Sequence, residues 1–413
     1  MQQHFDSIII GGGLVGMSLA CALAAHELRV ALIDVEPPEK ALSPDFDGRA
    51  SAINSSSLRM FGAIGVRGGL EGHGCAIHRI SVLDRSARNH LLFDATESGE
   101  GAGAGEALGE MFENRRLRLA LNQACDAQPL IHRFAPAQII AQERDARAAR
   151  VTLADGSILQ APLLIAADGR RSATRAQAGI SLTQWDYGHS AMITTVAHQM
   201  PHAHVAYEIF YDQGPFAILP MLDDAQGRHR SAIVWTVARK DVAAWQALSE
   251  RARAHEIAKH MQNMLGDIEV IAPFTIYPLG FQHANRYSAE RLVLVGDAAH
   301  GIHPIAGQGL NLGLRDVAAL AQVLAESARL GLDLGDAQVL DRYVRWRGLD
   351  IMMVSAATDV LTRIFGVRQG LFGRLRGRGV ALVDKLPPLK RLLMAEARGE
   401  SGELPQLLRG HLA

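Results

Sequence analysis

Residues 5 to 36 constrain this chain more than any other stretch. Phe5 to Ile10 is a short run of buried-strand character, and it opens without a gap onto Gly11-Gly12-Gly13-Leu14-Val15-Gly16. Met17 to His26 then continues with Ala, Leu and Cys at helical spacing, and Arg29 to Ile33 reads as a second parallel strand ending at Asp34. Strand, tight turn, helix and strand form a unit whose glycines have separable jobs. Gly11 permits the turn, Gly13 lets a pyrophosphate approach the backbone, and Gly16 lets the helix pack closely on the sheet. The first amides of the helix then face the phosphate charge. Asp34, 23 residues beyond Gly11, can accept both hydroxyls of an adenosine ribose and repels a 2'-phosphate, which favours FAD or NAD over NADP. The plainer alternatives are a glycine-rich turn and a surface acid at a strand end.

Composition narrows the setting. Of 413 residues 48% are apolar and 21% charged, which excludes a disordered chain and leaves room for two or three domains. Basic residues, 42 of them, nearly cancel 43 acidic ones, so a general nucleic-acid binder is not expected. The cysteines, Cys21, Cys75 and Cys125, are spaced neither as a metal knuckle nor as a disulfide framework, and a reduced, cytoplasmic setting is the expectation. The sequence shows no signal-peptide pattern and no uninterrupted 18-residue apolar run.

Further along, Ser55 to Gly62 and Glu113 to Ala124 read as helices, residues 95–109 as an exposed loop, and Ile77 to Phe93 as short strands around a polar stretch. Ala137 to Glu143, Ala149 to Leu153 and Ser157 to Gln160 suggest antiparallel strands with a turn at Asp155-Gly156. Leu163 to Ala167 is a short apolar strand ending at Asp168-Gly169. Residues 184–281 alternate like a half-exposed sheet, with a helix over Val242 to Leu265. Strand logic returns at Arg291 to Val295, followed by Gly296-Asp297 and then by Gly307-Gln308-Gly309-Leu310-Asn311 at the start of a long helix. The free amides of that helix start favour negative charge, which suits the N1 and C2-carbonyl edge of a reduced flavin.

Taken together, Gly11-x-Gly13-x-x-Gly16, Arg49-Ala50 within DGRASAI, Asp168-Gly169 with Ser172 and Arg175, and Gly296-Asp297 with Pro304 and Gly307 to Arg315 closely resemble the class A flavoprotein aromatic hydroxylases. Within them the chain looks most like the ubiquinone-biosynthesis hydroxylases of the UbiH, UbiF and VisC group, through YEIFYDQGPFAILPM, IYPLGFQHANRY and the C-terminal LVDKLPPLKRLLM and LPQLLRG stretches. The resemblance implies an α/β fold with a Rossmann-like FAD-binding domain in two parts, residues 1–183 and 282–350. It further implies a mixed α+β substrate domain at 184–281, which residues 75–110 approach, and a helical C-terminal region at 351–413. It implies FAD held by Gly11, Gly13, Gly16, Asp34, Asp168, Asp297, Gly309, Leu310 and Asn311, with Arg49 and Arg115 near the cofactor and Arg49, Pro304, Gly307 and Gln308 supporting its chemistry. Arg171 and Arg175 are either part of that site or a surface and core-edge pair.

The implied reaction is hydride transfer from a transient NAD(P)H to FAD, reaction of the reduced flavin with O2 to a C4a-hydroperoxide, and oxygen transfer to a phenolic ring. The cofactor carries that chemistry, and the protein supplies orientation, charge stabilisation and exclusion of water. The implied substrate is a polyprenylated phenol of ubiquinone biosynthesis. Hydroxylation of a soluble aromatic metabolite, or a non-catalytic FAD-binding role in a quinone-making assembly, are the alternatives. Tyr207, Phe210, Tyr211, Phe216 and Trp235 are the expected ring pocket, with Gly214-Pro215 turning the chain beside the flavin. No histidine spacing marks a catalytic triad, and no metal site is expected. His300 and His303 stand three apart, but Gly301 and Pro304 disfavour the helix that would aim both at one ion. Residues 363–393 carry eight basic residues against Asp384, interleaved with Phe, Leu and Val, so they are either a peripheral contact with an anionic inner membrane or ordinary docked helices.

Overall fold

The computed structural model describes residues 2–41, 48–84, 89–97, 106–211, 214–301, 308–348, 350–351 and 387–413. The expectations placed on His303, Pro304 and Gly307, on the side chain of Gln308 and on most of the basic segment 363–393 lie outside the described residues.

The glycine unit folds as an α/β layer. Ser7–Ile10 pairs in parallel with Val30–Ile33 on one side and Leu163–Ala166 on the other; Leu164 to Ala166 in turn pair with Leu292–Leu294, and Val30–Ile33 pairs with Ile131–Phe134. Because side chains alternate along a strand, the sheet feeds two cores. Ile9, Val30, Leu32, Ile165 and Val293 pack under the helices Leu14–Ala25 and Gln308–Arg329. Ile8, Ile10, Ala31, Leu164 and Leu294 pack on the other face against Val151, Leu153 and Leu159 of the small antiparallel sheet. These strands are buried on both faces, which is why they read as continuous apolar runs.

A second, larger sheet centres on Leu182–His198, which pairs with His229–Ala238 and Thr275–Ala284. Gly214–Met221 and Val205–Tyr211 extend it, and then Arg79–Asp84 and Asn89–Asp94 complete it from a distant part of the sequence. Gly109–Glu113 is a strand between Ala50–Asn54 and Gly74–Ile77, so the end of the expected 95–109 loop is ordered by pairing. The single helix expected over Val242 to Leu265 is two, Val242–Ala247 and Glu250–His260. Leu248 leaves helical geometry, and the Ser249 hydroxyl caps the second helix by accepting from Ala252 N–H at 3.3 Å. In the C-terminal region Pro387–Arg398 is helical, and among the described residues no helix is long and apolar enough to cross a membrane.

Candidate active site

Parallel pairing brings the carboxyl ends of three strands side by side, with Ile10, Ala166 and Leu294 in one row. The row continues one step further, as Ala167 N–H donates to Ile10 O at 2.8 Å and Val295 N–H to Ala166 O at 3.0 Å. The loops leaving those ends, Gly11 to Gly16, Ala167 to Arg170 and Val295 to Gly301, therefore converge, as ligand sites do in open α/β sheets. They form one wall of a cavity of about 500 Å³. Gly309 and Leu310, at the start of the long helix, complete that wall, and Ala50 to Ala52, Met111 and Asn114 form its side.

The glycines divide their work as the motif requires. Gly11 has φ +110°, and a Cβ there would lie 2.3 Å from Ala167 O; one on Gly16 would collide with the carbonyl of Gly11. Gly13 is different: a Cβ on it would meet no protein atom within 4 Å, and it opens onto the cavity. That vacant approach over a helix start is where a pyrophosphate fits. Asp34 ends its strand as expected, with its carboxylate accepting from Gly12 N–H at 2.5 Å and Glu36 N–H at 2.8 Å. These bonds fix the acid beside the turn and leave lone pairs for a ribose. Asp297 lines the cavity, and burial pushes its carboxyl up against the lowering influence of His300 and Arg170. The residues present fit a bound FAD.

Several of the expected ligands also make bonds within the frame. The Asp168 carboxylate accepts from the Ser172 hydroxyl and from Thr174 N–H at 3.0 Å, so it caps the helix Ala173–Gln177 while its neighbours Ala167, Gly169 and Arg170 line the cavity. Asn311 donates to Ala52 O at 2.8 Å and accepts from Asn54 N–H at 3.0 Å, which staples the long helix to the strand Ala50–Asn54. The Arg49 carbonyl accepts from Asn114 N–H at 2.9 Å, next to the lining residues 50–52. Arg115 pairs with Glu113 at 2.6 Å, and the same carboxylate reaches Arg230 of the large sheet at 3.0 Å. Arg171 is exposed, whereas Arg175 is buried and donates to Ala298 O at 2.9 Å and Arg170 O at 3.2 Å, joining two of the loops.

The ring-pocket expectation needs the larger correction. Tyr207, Tyr211, Phe216 and Trp235 point away from the cavity into a core with Ile257 and Met261 of the helix Glu250–His260. Phe210 is buried on the other parity of its strand but is not a lining residue. The side chains that face the cavity are Ile193, Glu208, Pro215, Ala217, Leu219, Val234 and Thr236. Alternation puts Tyr207, Tyr211, Phe216 and Trp235 on one face, and the helix packed there makes that face core.

A buried network supports the strand-end wall. His300 lines the cavity and donates through Nε2 to Asp316 at 2.6 Å; Asp316 also accepts from Gly296 N–H at 2.9 Å and Arg347 Nε at 2.8 Å. Burial alone would raise the Asp316 carboxyl, but the charges of His300 and Arg347 and their hydrogen bonds outweigh it and hold it at about 2. Gln282, on the strand Thr275–Ala284 and in register with Gly301, donates to Arg170 O at 2.9 Å and tightens the same region. Asp316, Arg347 and Gln282 are not legible in the sequence because their partners are remote in the chain, and Glu208 because only packing sets its surroundings. Elsewhere, Cys75, His202 and His204 bring three metal-ligand atoms within 4.8 Å, but His202 Nε2 donates to Met221 O at 3.0 Å and its Nδ1 accepts from His204 N–H at 3.1 Å, so that ring is satisfied by backbone.

Residues 4–354 match the FAD binding domain family. The chain is 40% identical over 408 residues to the ubiquinone hydroxylase UbiL of Rhodospirillum rubrum, covering 98% of this chain and 92% of the relative. It is 33% identical over 398 residues to the 3-demethoxyubiquinol 3-hydroxylase of Escherichia coli, covering 96% and 99%. Among solved structures, PqsL of P. aeruginosa in complex with 2-aminobenzoylacetate superposes with a TM-score of 0.75 at 23% identity, covering 92% of this chain and all of the other, which shows a shared fold.

Proposed function

The chain belongs to the FAD binding domain family and, within it, to the FAD-dependent aromatic hydroxylases related to the ubiquinone-hydroxylase group, and we propose that the ring it hydroxylates is that of a polyprenylated phenol. It is an FAD-dependent monooxygenase acting with O2 on an aromatic or phenolic substrate. The observation that carries the finer reading is the apolar wall of Ile193, Pro215, Ala217, Leu219 and Val234 set across the cavity from the strand-end loops. An isoprenoid tail gains roughly 0.8 kcal/mol for each methylene it removes from water, so such a wall favours a greasy phenol.

On this reading Gly11, Gly13 and Gly16 receive the FAD pyrophosphate, Asp34 its ribose, and Asp297 with the Gly309–Leu310 amides the flavin end. Bound FAD supplies the oxygen-activating chemistry. The two walls hold the ring in register with it and keep water away, since water in the site diverts reducing power to peroxide. NAD(P)H is the transient hydride donor. Because prenylated phenols partition into bilayers, the basic segment 363–393 is the proposed contact with an anionic membrane, and the exposed Leu392 and Leu393 support it. A quinone-making assembly is the proposed protein partner.

The test is incubation of the FAD-loaded enzyme with NAD(P)H, isotopically labelled O2 and phenols with and without an isoprenoid tail, followed by mass spectrometry. Labelled, hydroxylated product is expected, with preference for the prenylated ring. Label arriving from water rejects the oxygenase mechanism, and indifference to the tail rejects the quinone substrate in favour of a soluble aromatic one. In the Asp297→Ala enzyme both FAD retention and turnover should fall; unchanged values for both remove Asp297 from the cofactor site.

A further inference from the structure

The apolar wall of the cavity carries one acid. Glu208, on the strand Val205–Tyr211, is 9% exposed and lines the cavity, with Ala217 and Val82 as its register partners on the two neighbouring strands. Among the described residues its carboxyl has no hydrogen bond and no ion pair, and it lines the cavity. Among the described residues, the other titratable or charged side chains lining the cavity, Asp297, His300 and Arg170, all belong to the strand-end wall.

An unpartnered carboxyl in an apolar wall destabilises a fold, since it gives up its hydration without a compensating bond. Such a group in a cavity marks a ligand contact, and the ligand must bring the missing donor. An aromatic ring carrying a hydroxyl does so. On the reading that the substrate is a phenol, we propose that Glu208 accepts the ring hydroxyl of the substrate and takes its proton as oxygen is transferred to the ring. The phenol O–H bond breaks, its electron pair stays on the ring oxygen and enriches the ortho and para carbons, and a new O–H bond forms on the Glu208 carboxylate. The oxidant and reductant are those of the hydroxylation itself, O2 and the hydride donor; Glu208 moves only a proton, which it returns to water after product leaves. Burial pushes the Glu208 carboxyl up to about 7, which matches it to proton transfer near neutral pH.

The experiment uses the FAD-loaded enzyme with 2-geranylphenol and its O-methyl ether as probes. The wild type should bind the phenol at least about tenfold more tightly than the ether, the discrimination typical of a hydrogen bond to a charged group, and Glu208→Leu should abolish the difference. Glu208→Gln should lower kcat on the phenol about a hundredfold or more and remove the acid limb of its pH profile, with partial recovery in Glu208→Asp. Flavin content and Tm serve as folding controls. Equal binding of phenol and ether by the wild type, a preference that survives in Glu208→Leu, or wild-type rate and pH profile in Glu208→Gln each overturn the assignment. If Glu208→Gln hydroxylates normally, the phenol-hydroxylase reading stands without Glu208. If the wild type discriminates through Glu208 yet forms no hydroxylated product, the substrate reading falls and the carboxyl remains a phenol-recognition group.

Discussion

Gly13 and Gly16 lie three residues apart in one motif and answer to different forces. A methyl on Gly13 meets no protein within 4 Å and faces the cavity proposed for the cofactor, so Gly13→Ala should keep its folding stability within about 0.5 kcal/mol while losing most of its bound flavin, read as flavin per chain after gel filtration. A methyl on Gly16 collides with the Gly11 carbonyl, so Gly16→Ala should lose about 1–3 kcal/mol of folding stability in urea titration even before cofactor is considered. Glu208 gives a third, independent sign. Its carboxyl rises from 4.5 to about 7 on folding, so the native state holds the extra proton and stability falls as pH climbs through that window. Glu208→Gln should therefore gain folding stability over the wild type as pH rises from about 4.5 to about 7, by at most about 3 kcal/mol in urea titration, and level off above it. A constant difference across that range contradicts the burial of the ionised form.

Between elements, the decisive contact is that of the long helix Gln308–Arg329 with the loop after Leu292–Leu294. Asp316 on that helix gathers Gly296 N–H, His300 and Arg347, and both Asp316 and Arg347 are almost wholly buried. Replacing the acid leaves the arginine without its counter-charge. Asp316→Asn should cost about 3–5 kcal/mol at neutral pH and loosen flavin binding, because Gly296 N–H and His300 anchor the loop that carries Asp297, a lining residue of the proposed cofactor site. The Asp316 carboxyl is depressed on folding, so its contribution is present above pH 3.8 and is lost as pH falls toward about 2. The stability gap between wild type and variant, followed by circular dichroism, should narrow by about 2 kcal/mol over that acid range; a gap of unchanged size from pH 5 to pH 2 denies the ion pair its role.

At the scale of the whole molecule, the cavity exists because the α/β layer and the large sheet face each other. Glu113 bridges them, pairing with Arg115 at the start of Asn114–Ala127 and with Arg230 on the large sheet. Glu113→Ala should raise KM for the aromatic substrate several-fold with flavin content intact, and lower stability by about 1–3 kcal/mol. Loss of flavin with unchanged KM places this contact on the cofactor side instead.

The sequence by itself determined the nucleotide end of the molecule. Ser7 to Asp34 is a local unit whose turn, helix and strand are set by neighbours in the chain, and the glycines and Asp34 lie where that local logic puts them. The strand ends before Asp168 and Gly296 were legible for the same reason, although the bonds that the Asp168 carboxylate and the Asn311 amide make within the protein were not. Only the tertiary structure decided the substrate wall. Strand alternation sorts Tyr207, Ile209 and Tyr211 from Glu208, but it cannot say which set is inside, because that depends on where the helix Glu250–His260 packs. Burial of Asp316 beside Arg347, and of Glu208 beside nothing, likewise follows from contacts between segments far apart in sequence, where pairing and desolvation are settled by packing and not by local pattern.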